Sequence, residues 1–218
     1  MKLIFLLIFL VVITNTYAFD YFLFVELWPA TWIHNSKITY NFSNNFFGIH
    51  GIWGEYYNGS YPEFCSNSST HFNVSALSSI KNNLTQYWTD FNNATKFWEH
   101  EFLKHFTCVT DTFPYPYKLF WIGLYLRQKF NVYNALNASN IIPNNIHKPM
   151  HISYFVNALK KYYGKNVIVA CERDTSGRSY LLSEVRLCFT KHFELFDCPT
   201  LLQNREACSA NKITYYKL

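Results

Sequence analysis

Charge is scarce in this chain. Only 15% of its 218 residues are Asp, Glu, Lys or Arg, while 50% are hydrophobic and 20% aromatic. That balance excludes intrinsic disorder, because so much apolar surface can offset the entropy of ordering once it is buried. Glycine and proline are sparse, at seven each, which excludes collagen-like and low-complexity architectures. No internal repeat and no linker divides the chain, so a single domain is expected. Familiar chemical signatures are missing too. There is no C-x-x-C pair for structural zinc, no His-Glu-x-x-His of zinc proteases and no Gly-x-Ser-x-Gly elbow. The net charge of +5 can attract an anion without naming one.

Long apolar runs are also absent, with one exception. Lys2, the apolar run Leu3 to Ile13 and the closing Asn15-Thr16-Tyr17-Ala18 have the three parts of a secretory signal. The run has 11 residues, and a spanning helix needs about 20. Residues 1–18 are therefore expected to be removed, leaving residues 19–218 as a secreted domain with no membrane span. Six cysteines, Cys65, Cys108, Cys171, Cys188, Cys198 and Cys208, all follow residue 18. An even set in an oxidising compartment implies three disulfides, with the pairing left open. Seven N-x-S/T sequons, at Asn41, Asn58, Asn67, Asn73, Asn83, Asn93 and Asn137, point to glycosylation, six of them between residues 41 and 95.

Phe22–Trp28 reads as an aromatic strand stopped by Pro29, and Phe46–Trp53 as a second strand with glycines on both sides of His50. Residues 54–75 read as an exposed loop. Helical spacing marks 76–90 and 94–108, the second with Phe97, Trp98, Phe102 and His105 on its buried side. Residues 119–133 read as helical, as do 151–163, which end at Gly164. Residues 166–171 and 181–190 read as strands paired across the turn Asp174-Thr175-Ser176-Gly177. The unalternating mixture implies a single α+β domain.

The densest polar cluster is Phe97-Trp98-Glu99-His100-Glu101-Phe102-Leu103-Lys104-His105. Residues four apart share a helix face, so His100 with Lys104 and Glu101 with His105 form adjacent pairs. His100 and His105, five apart, point about 140° from each other, and Lys104 opposes a cation, so no metal and no cofactor is expected. For an isolated helix, the plainest reading of this cluster is a solvated polar face. Cleavage of RNA by its own 2′-hydroxyl gives the cluster a chemical use. It needs a base for that proton, an acid for the leaving 5′-oxygen and a cation for the developing phosphate charge. Imidazoles suit both proton transfers.

Phe47-Gly48-Ile49-His50-Gly51-Ile52-Trp53 resembles the first catalytic segment of the ribonuclease T2 family, and Phe97 through Cys108 resembles its second. Tyr87-Trp88, Phe24 through Pro29, Cys171 through Asp174 and Glu184 through Cys188 fit the family in the same order. The resemblance implies a disulfide-stapled domain with a central antiparallel sheet flanked by helices. It implies His105 as general base and His50 as general acid. Glu101 and Lys104 would stabilise the phosphorane, Glu101 also orienting a histidine, and His100 would bind phosphate. The products implied are a 2′,3′-cyclic phosphate and then a 3′-phosphate. Trp53 would stack on the upstream base, helped by Tyr57 or its neighbours Tyr56 and Tyr61; Glu55 would read that base and Phe97 would stack on the downstream one. The resemblance also pairs Cys65 with Cys108, Cys171 with Cys208 and Cys188 with Cys198.

Two departures stand out. Phe106 and Phe102 occupy places where many members carry glycine and tryptophan, and a bulky Phe106 beside His105 is expected to narrow the cleft or shift the helix end. The expected activity is that of a secreted, monomeric endoribonuclease acting on single-stranded RNA. The alternative is a glycoprotein effector that engages host cells or a glycan receptor through its N-glycans, with RNA cleavage weak or unused. The glycosylated pattern is similar to the omega-class egg-secreted ribonucleases of parasitic flatworms.

Overall fold

The computed structural model describes residues 19–39, 46–66, 70–110, 113–144 and 148–217. The chain opens with β1 (Tyr21–Leu27), α1 (Pro29–Ser36) and β2 (Gly48–Glu55). A helical stretch follows: α2 (Lys81–Tyr87), α3 (Ala94–Lys104), α4 (Lys118–Lys129) and α5 (Val132–Asn137). Then come β3 (Met150–His151), α6 (Ile152–Tyr163), β4 (Ile168–Arg173), β5 (Tyr180–Phe189), β6 (Leu195–Phe196), α7 (Thr200–Glu206) and β7 (Lys212–Ile213). The central sheet is antiparallel in the order β2-β1-β5-β4, with β6 added to β5. This is the α+β architecture expected.

Strand β1 is buried at every position because both faces of the sheet are covered. Phe22 and Phe24 belong to the large core shared with the helices, which also holds Trp28, Trp88, Trp98 and Phe120. Tyr21, Leu23 and Val25 point the other way, into a smaller cluster with Ile168 and Leu202 of α7. Alternate residues of a strand serve opposite faces, and here each face has its own apolar layer.

The sheet is irregular where it matters. Along β1 and β2 the register pairs Val25 with Gly51 but Glu26 with Ile49, so His50 is the unpaired residue of a bulge. A bulge re-aims a side chain and frees backbone groups from the ladder. The His50 carbonyl is taken up instead by the indole N–H of Trp88, at 2.8 Å. A second irregularity pairs Ala170 with Glu184 and Cys171 with Leu182, leaving Ser183 unpaired on β5. Its carbonyl accepts from the Trp28 amide at 2.7 Å.

Several boundaries differ from expectation, each for a local reason. Pro29 ends the strand but also opens α1, where its fixed φ suits the first helical position. The segment read as one helix over 76–90 is a 3-10 helix, Val74–Ile80, followed by α2. Residues 119–133 split into α4 and α5 because the Asn131 side chain caps a new helix, accepting from the Asn134 amide at 2.9 Å. Helix α3 stops at Lys104, and a 3-10 turn, Phe106–Val109, buries all four of its residues. Gly164 closes α6 at φ 68°, the left-handed conformation that glycine adopts without strain.

The three disulfides are Cys65–Cys108, Cys171–Cys208 and Cys188–Cys198, as the resemblance implied. Among the described residues no helix is long and apolar enough to cross a membrane. The expected signal, residues 1–18, and the sequon asparagines Asn41 and Asn67 lie outside the described residues. The remaining sequon asparagines, Asn58, Asn73, Asn83, Asn93 and Asn137, are exposed.

Candidate active site

One cleft of about 230 Å³ gathers His50, Trp53 and Glu55 from β2, His100, Glu101 and Lys104 from α3, and His105 just beyond it. Tyr61, Arg186 of β5, and Arg205 and Glu206 of α7 complete the wall. Strand β2 lies at the sheet edge, and Cys65–Cys108 ties the loop after it to the 3-10 turn that follows α3. Helix α3 is itself started by Asn93, whose side chain accepts from the Lys96 amide at 3.1 Å.

The centre of the cleft is built around Trp53. Its indole N–H donates to Glu101 Oε2 at 2.9 Å, and its ring stacks on His105 with centroids 4.9 Å apart. The His50 ring meets the edge of the same indole at 5.0 Å. His50 and His105 thus both pack on one tryptophan and line the cleft. Gly51 makes this possible. A Cβ placed there would lie 2.2 Å from both Glu101 Oε2 and Trp53 Nε1.

His50 is held by its Nδ1, 2.6 Å from Glu184 Oε1. The other Glu184 oxygen accepts from Arg186 Nε at 2.9 Å and from a terminal guanidinium nitrogen at 2.7 Å. Arg186 also pairs with Glu206, Glu206 with Arg205, and Arg205 with Glu55 at 3.1 Å. A chain of alternating charge therefore runs from His50 to Glu55.

These surroundings drive the titrating groups apart. Burial by itself lowers the pKa of His50, but the hydrogen bond and charge of Glu184, with the charge of Glu101, outweigh it and raise the pKa. Burial lowers His105 to about 2, reinforced by the positive charges of Lys104, His50 and His100. Its Nδ1 is buried with no hydrogen-bond partner among the described residues. Burial also lifts Glu101 to about 7, against the pull of His50, Trp53 and Lys104. Burial pushes Glu184 upward as well, yet His50 and Arg186 together hold it near 2. His100 is lowered by partial burial and by Lys104 and His50. Glu55 is raised to about 7 by burial, with Arg205 opposing. One imidazole that holds its proton and one that is neutral suit an acid and a base.

Of the residues singled out in the sequence, the cleft brings together His50, Trp53, Glu55, His100, Glu101, Lys104 and His105. Phe97 lies on the far side of His50, ring centroids 5.8 Å apart, lining an adjoining cavity with Trp32 and Asp90. Tyr57 is not in the cleft. It is mostly exposed and packs on Tyr21 at 5.2 Å, beyond the end of β2, and Tyr61 lines the wall instead. Trp53 has one ring face covered by His105. Among the described residues Glu101 orients no histidine through a hydrogen bond; its side-chain bond is to Trp53, and His50 is held by Glu184. Phe106 does not narrow the cleft. It turns into the core, 4.8 Å from Phe120, while His105 faces the site. Phe102 packs against Tyr117 at 4.7 Å.

Sequence reasoning missed Glu184, Arg186, Arg205 and Glu206 as site residues. Glu184 and Arg186 are two apart on a strand, so their shared face was readable once β5 was placed beside β1. Nothing in the sequence of α7 carries such a signal. Among the described residues no group of three or more His, Cys, Asp or Glu side chains could hold a metal ion.

The profile of the ribonuclease T2 family matches residues 19–198. Ribonuclease DdI of Dictyostelium discoideum is 36% identical over 84% of this chain and 79% of its own length. Ribonuclease Oy of Magallana gigas is 30% identical over 90% of this chain and 95% of its own. The crystal structure of RNase NT in complex with 5′-AMP superposes with a TM-score of 0.78 at 27% identity, covering 92% of this chain and all of that one. The chain belongs to the ribonuclease T2 family, and its activity is that of a T2-type endoribonuclease.

Proposed function

We propose that this protein is a secreted ribonuclease that cleaves single-stranded RNA by metal-free transesterification. His105, neutral and seated against Trp53, takes the 2′-hydroxyl proton. The oxygen attacks the adjacent phosphorus, and His50 gives its proton to the departing 5′-oxygen. Lys104, with the proton-sharing Glu101, stabilises the charge on the non-bridging oxygens, and His100 and the guanidinium groups of Arg186 and Arg205 draw the phosphate into the cleft. The roles then reverse as water opens the 2′,3′-cyclic phosphate to a 3′-phosphate. The observation that carries this reading is the opposed tuning of two histidines across one indole.

Tyr61 offers a ring for the upstream base, with Glu55 beside it, and Phe97 one for the downstream base. Such stacking is worth about 1–3 kcal/mol per base and tolerates any sequence. Secretion is supported by the amino-terminal signal pattern, the disulfides and the exposed sequon asparagines. The exposure of Asn58, Asn73, Asn83 and Asn93 also favours a glycan-mediated partner as a second role. Digesting RNA with the purified protein and with His50→Phe, with detection of cyclic phosphate ends, tests the mechanism. An equal rate in the variant would overturn it.

A further inference from the structure

We infer that Glu184 is the positioning residue of the general acid, gripping His50 through Nδ1 so that Nε2 is the nitrogen left to serve the leaving oxygen. This deepens the reading of His50 as the acid and rests on it.

Three observations converge. The 2.6 Å contact joins the imidazole to a carboxylate whose side chain is only 11% exposed. That carboxylate cannot swing away, because Arg186 holds its second oxygen through two bonds and is itself anchored to Glu206 of α7. Both partners also sit at sheet irregularities: His50 is the bulged residue of β2, and Glu184 follows the unpaired Ser183 of β5. Two departures from regular pairing converge on one hydrogen bond across β1, which is hard to account for by core packing alone.

The proton balance is simple. As the bond from phosphorus to the 5′-oxygen breaks, the Nε2 proton moves to that oxygen and the ring becomes neutral. The Nδ1 proton stays between His50 and Glu184, fixing the tautomer. His50 is faced by Glu184 and Arg186 from β5 and by His100, Glu101, Lys104 and His105 from α3 and its end. Asp90 and Glu172 share the adjoining cavity. Of these, Glu184 alone touches the ring by hydrogen bond among the described residues.

The test compares a dinucleoside phosphate with a nucleoside 3′-(4-nitrophenyl phosphate), whose leaving group departs without a proton. Glu184→Gln keeps an acceptor for Nδ1 and removes the charge, so the alkaline limb of kcat should move down by about one pH unit or more. Above that limb the dinucleoside rate should fall about tenfold for every pH unit by which the limb moves, with the aryl ester nearly unaffected. Glu184→Asp keeps the charge but falls short of Nδ1, and should lose rate on the dinucleoside alone. Thermal unfolding of each variant confirms that it is folded. Equal slowing of both substrates in whichever variant folds would make Glu184 merely structural and overturn the proposal. If His50→Phe cleaves the dinucleoside at the normal rate, the reading of His50 as the acid fails instead.

Discussion

Replacing Gly51 by alanine is the smallest change that should dismantle the cleft. The added methyl would lie 2.2 Å from Glu101 Oε2 and from Trp53 Nε1, where ordinary contact begins at about 3.4 Å. Each atom must retreat by about 1.2 Å. Glu101 is 1% exposed, and the Trp53 ring is seated on His105. The retreat breaks the 2.9 Å bond between them, leaving a buried carboxyl group without its donor. An unsatisfied buried group costs about 1–3 kcal/mol. In a domain of this size that lowers Tm by roughly 2–4 °C per kcal/mol. The catalytic loss should be larger, because a misplacement of about 1 Å costs on the order of a hundredfold in rate. Both quantities are accessible by calorimetry and by initial rates on a dinucleoside phosphate. A Gly51→Ala protein that cleaves at the normal rate would refute the claim that this glycine admits the Trp53–Glu101 pair.

Other consequences are open to measurement. Because His105 is held to about 2, RNA cleavage should keep its rate down to pH 4–5, where a free imidazole base would already be protonated. The alkaline decline should instead follow His50, and an acid limb centred on the ordinary histidine value in a pH–rate profile would refute this assignment. Replacing Cys65 and Cys108 together by serine opens a link with a sequence separation of 43 and should cost about 4 kcal/mol in denaturant titrations. Loss of cleavage should accompany it, since the link joins the β2 loop to α3; a fully active, equally stable variant would count against that role. Glu101, raised to about 7, binds its proton more tightly folded than unfolded. Stability should therefore fall as pH rises from about 4.5 to 7, by at most about 3 kcal/mol from this group. Glu101→Gln should flatten the dependence, leaving the similar contribution of Glu55, and an unchanged slope of denaturation midpoint against pH would disprove it.

Much of this was legible in residue order. The cluster from Phe97 to His105 announces itself because helix periodicity places its polar groups within one or two turns. His50 is marked by its flanking glycines, one of which, Gly51, proves to be a matter of space rather than backbone freedom. Boundaries were less legible where two signals share a residue. Pro29 ends a strand and begins a helix, and the sequence shows only the ending. Tyr57 and Tyr61 are equivalent in composition, and only the turn between them, closed by a bond from the Gly59 amide to the Tyr56 carbonyl, decides which one enters the cleft. The second carboxylate was hidden for a deeper reason. Glu184 reaches His50 from 134 residues away, through a strand order and a bulge that no local pattern encodes.

That hidden carboxylate explains how the cleft can hold two buried acids without losing the imidazolium between them. Glu101 and Glu184 are both buried and both act on His50, yet they are driven in opposite directions. His50 and, after it, Arg186, which binds one Glu184 oxygen through two nitrogens, keep Glu184 ionised, whereas Glu101 receives a single neutral indole N–H as its side-chain hydrogen bond. Charge-assisted hydrogen bonds stabilise a carboxylate far more than one neutral donor does. Glu184 is therefore a fixed negative charge that stays with the enzyme through the cycle. Glu101, near neutrality, can gain or lose a proton as the phosphate charge changes in front of it. The ion pair with His50, backed by an arginine on the same strand as Glu184, thus assigns the two acids to different tasks: one holds the proton donor in place, and the other meets the phosphate.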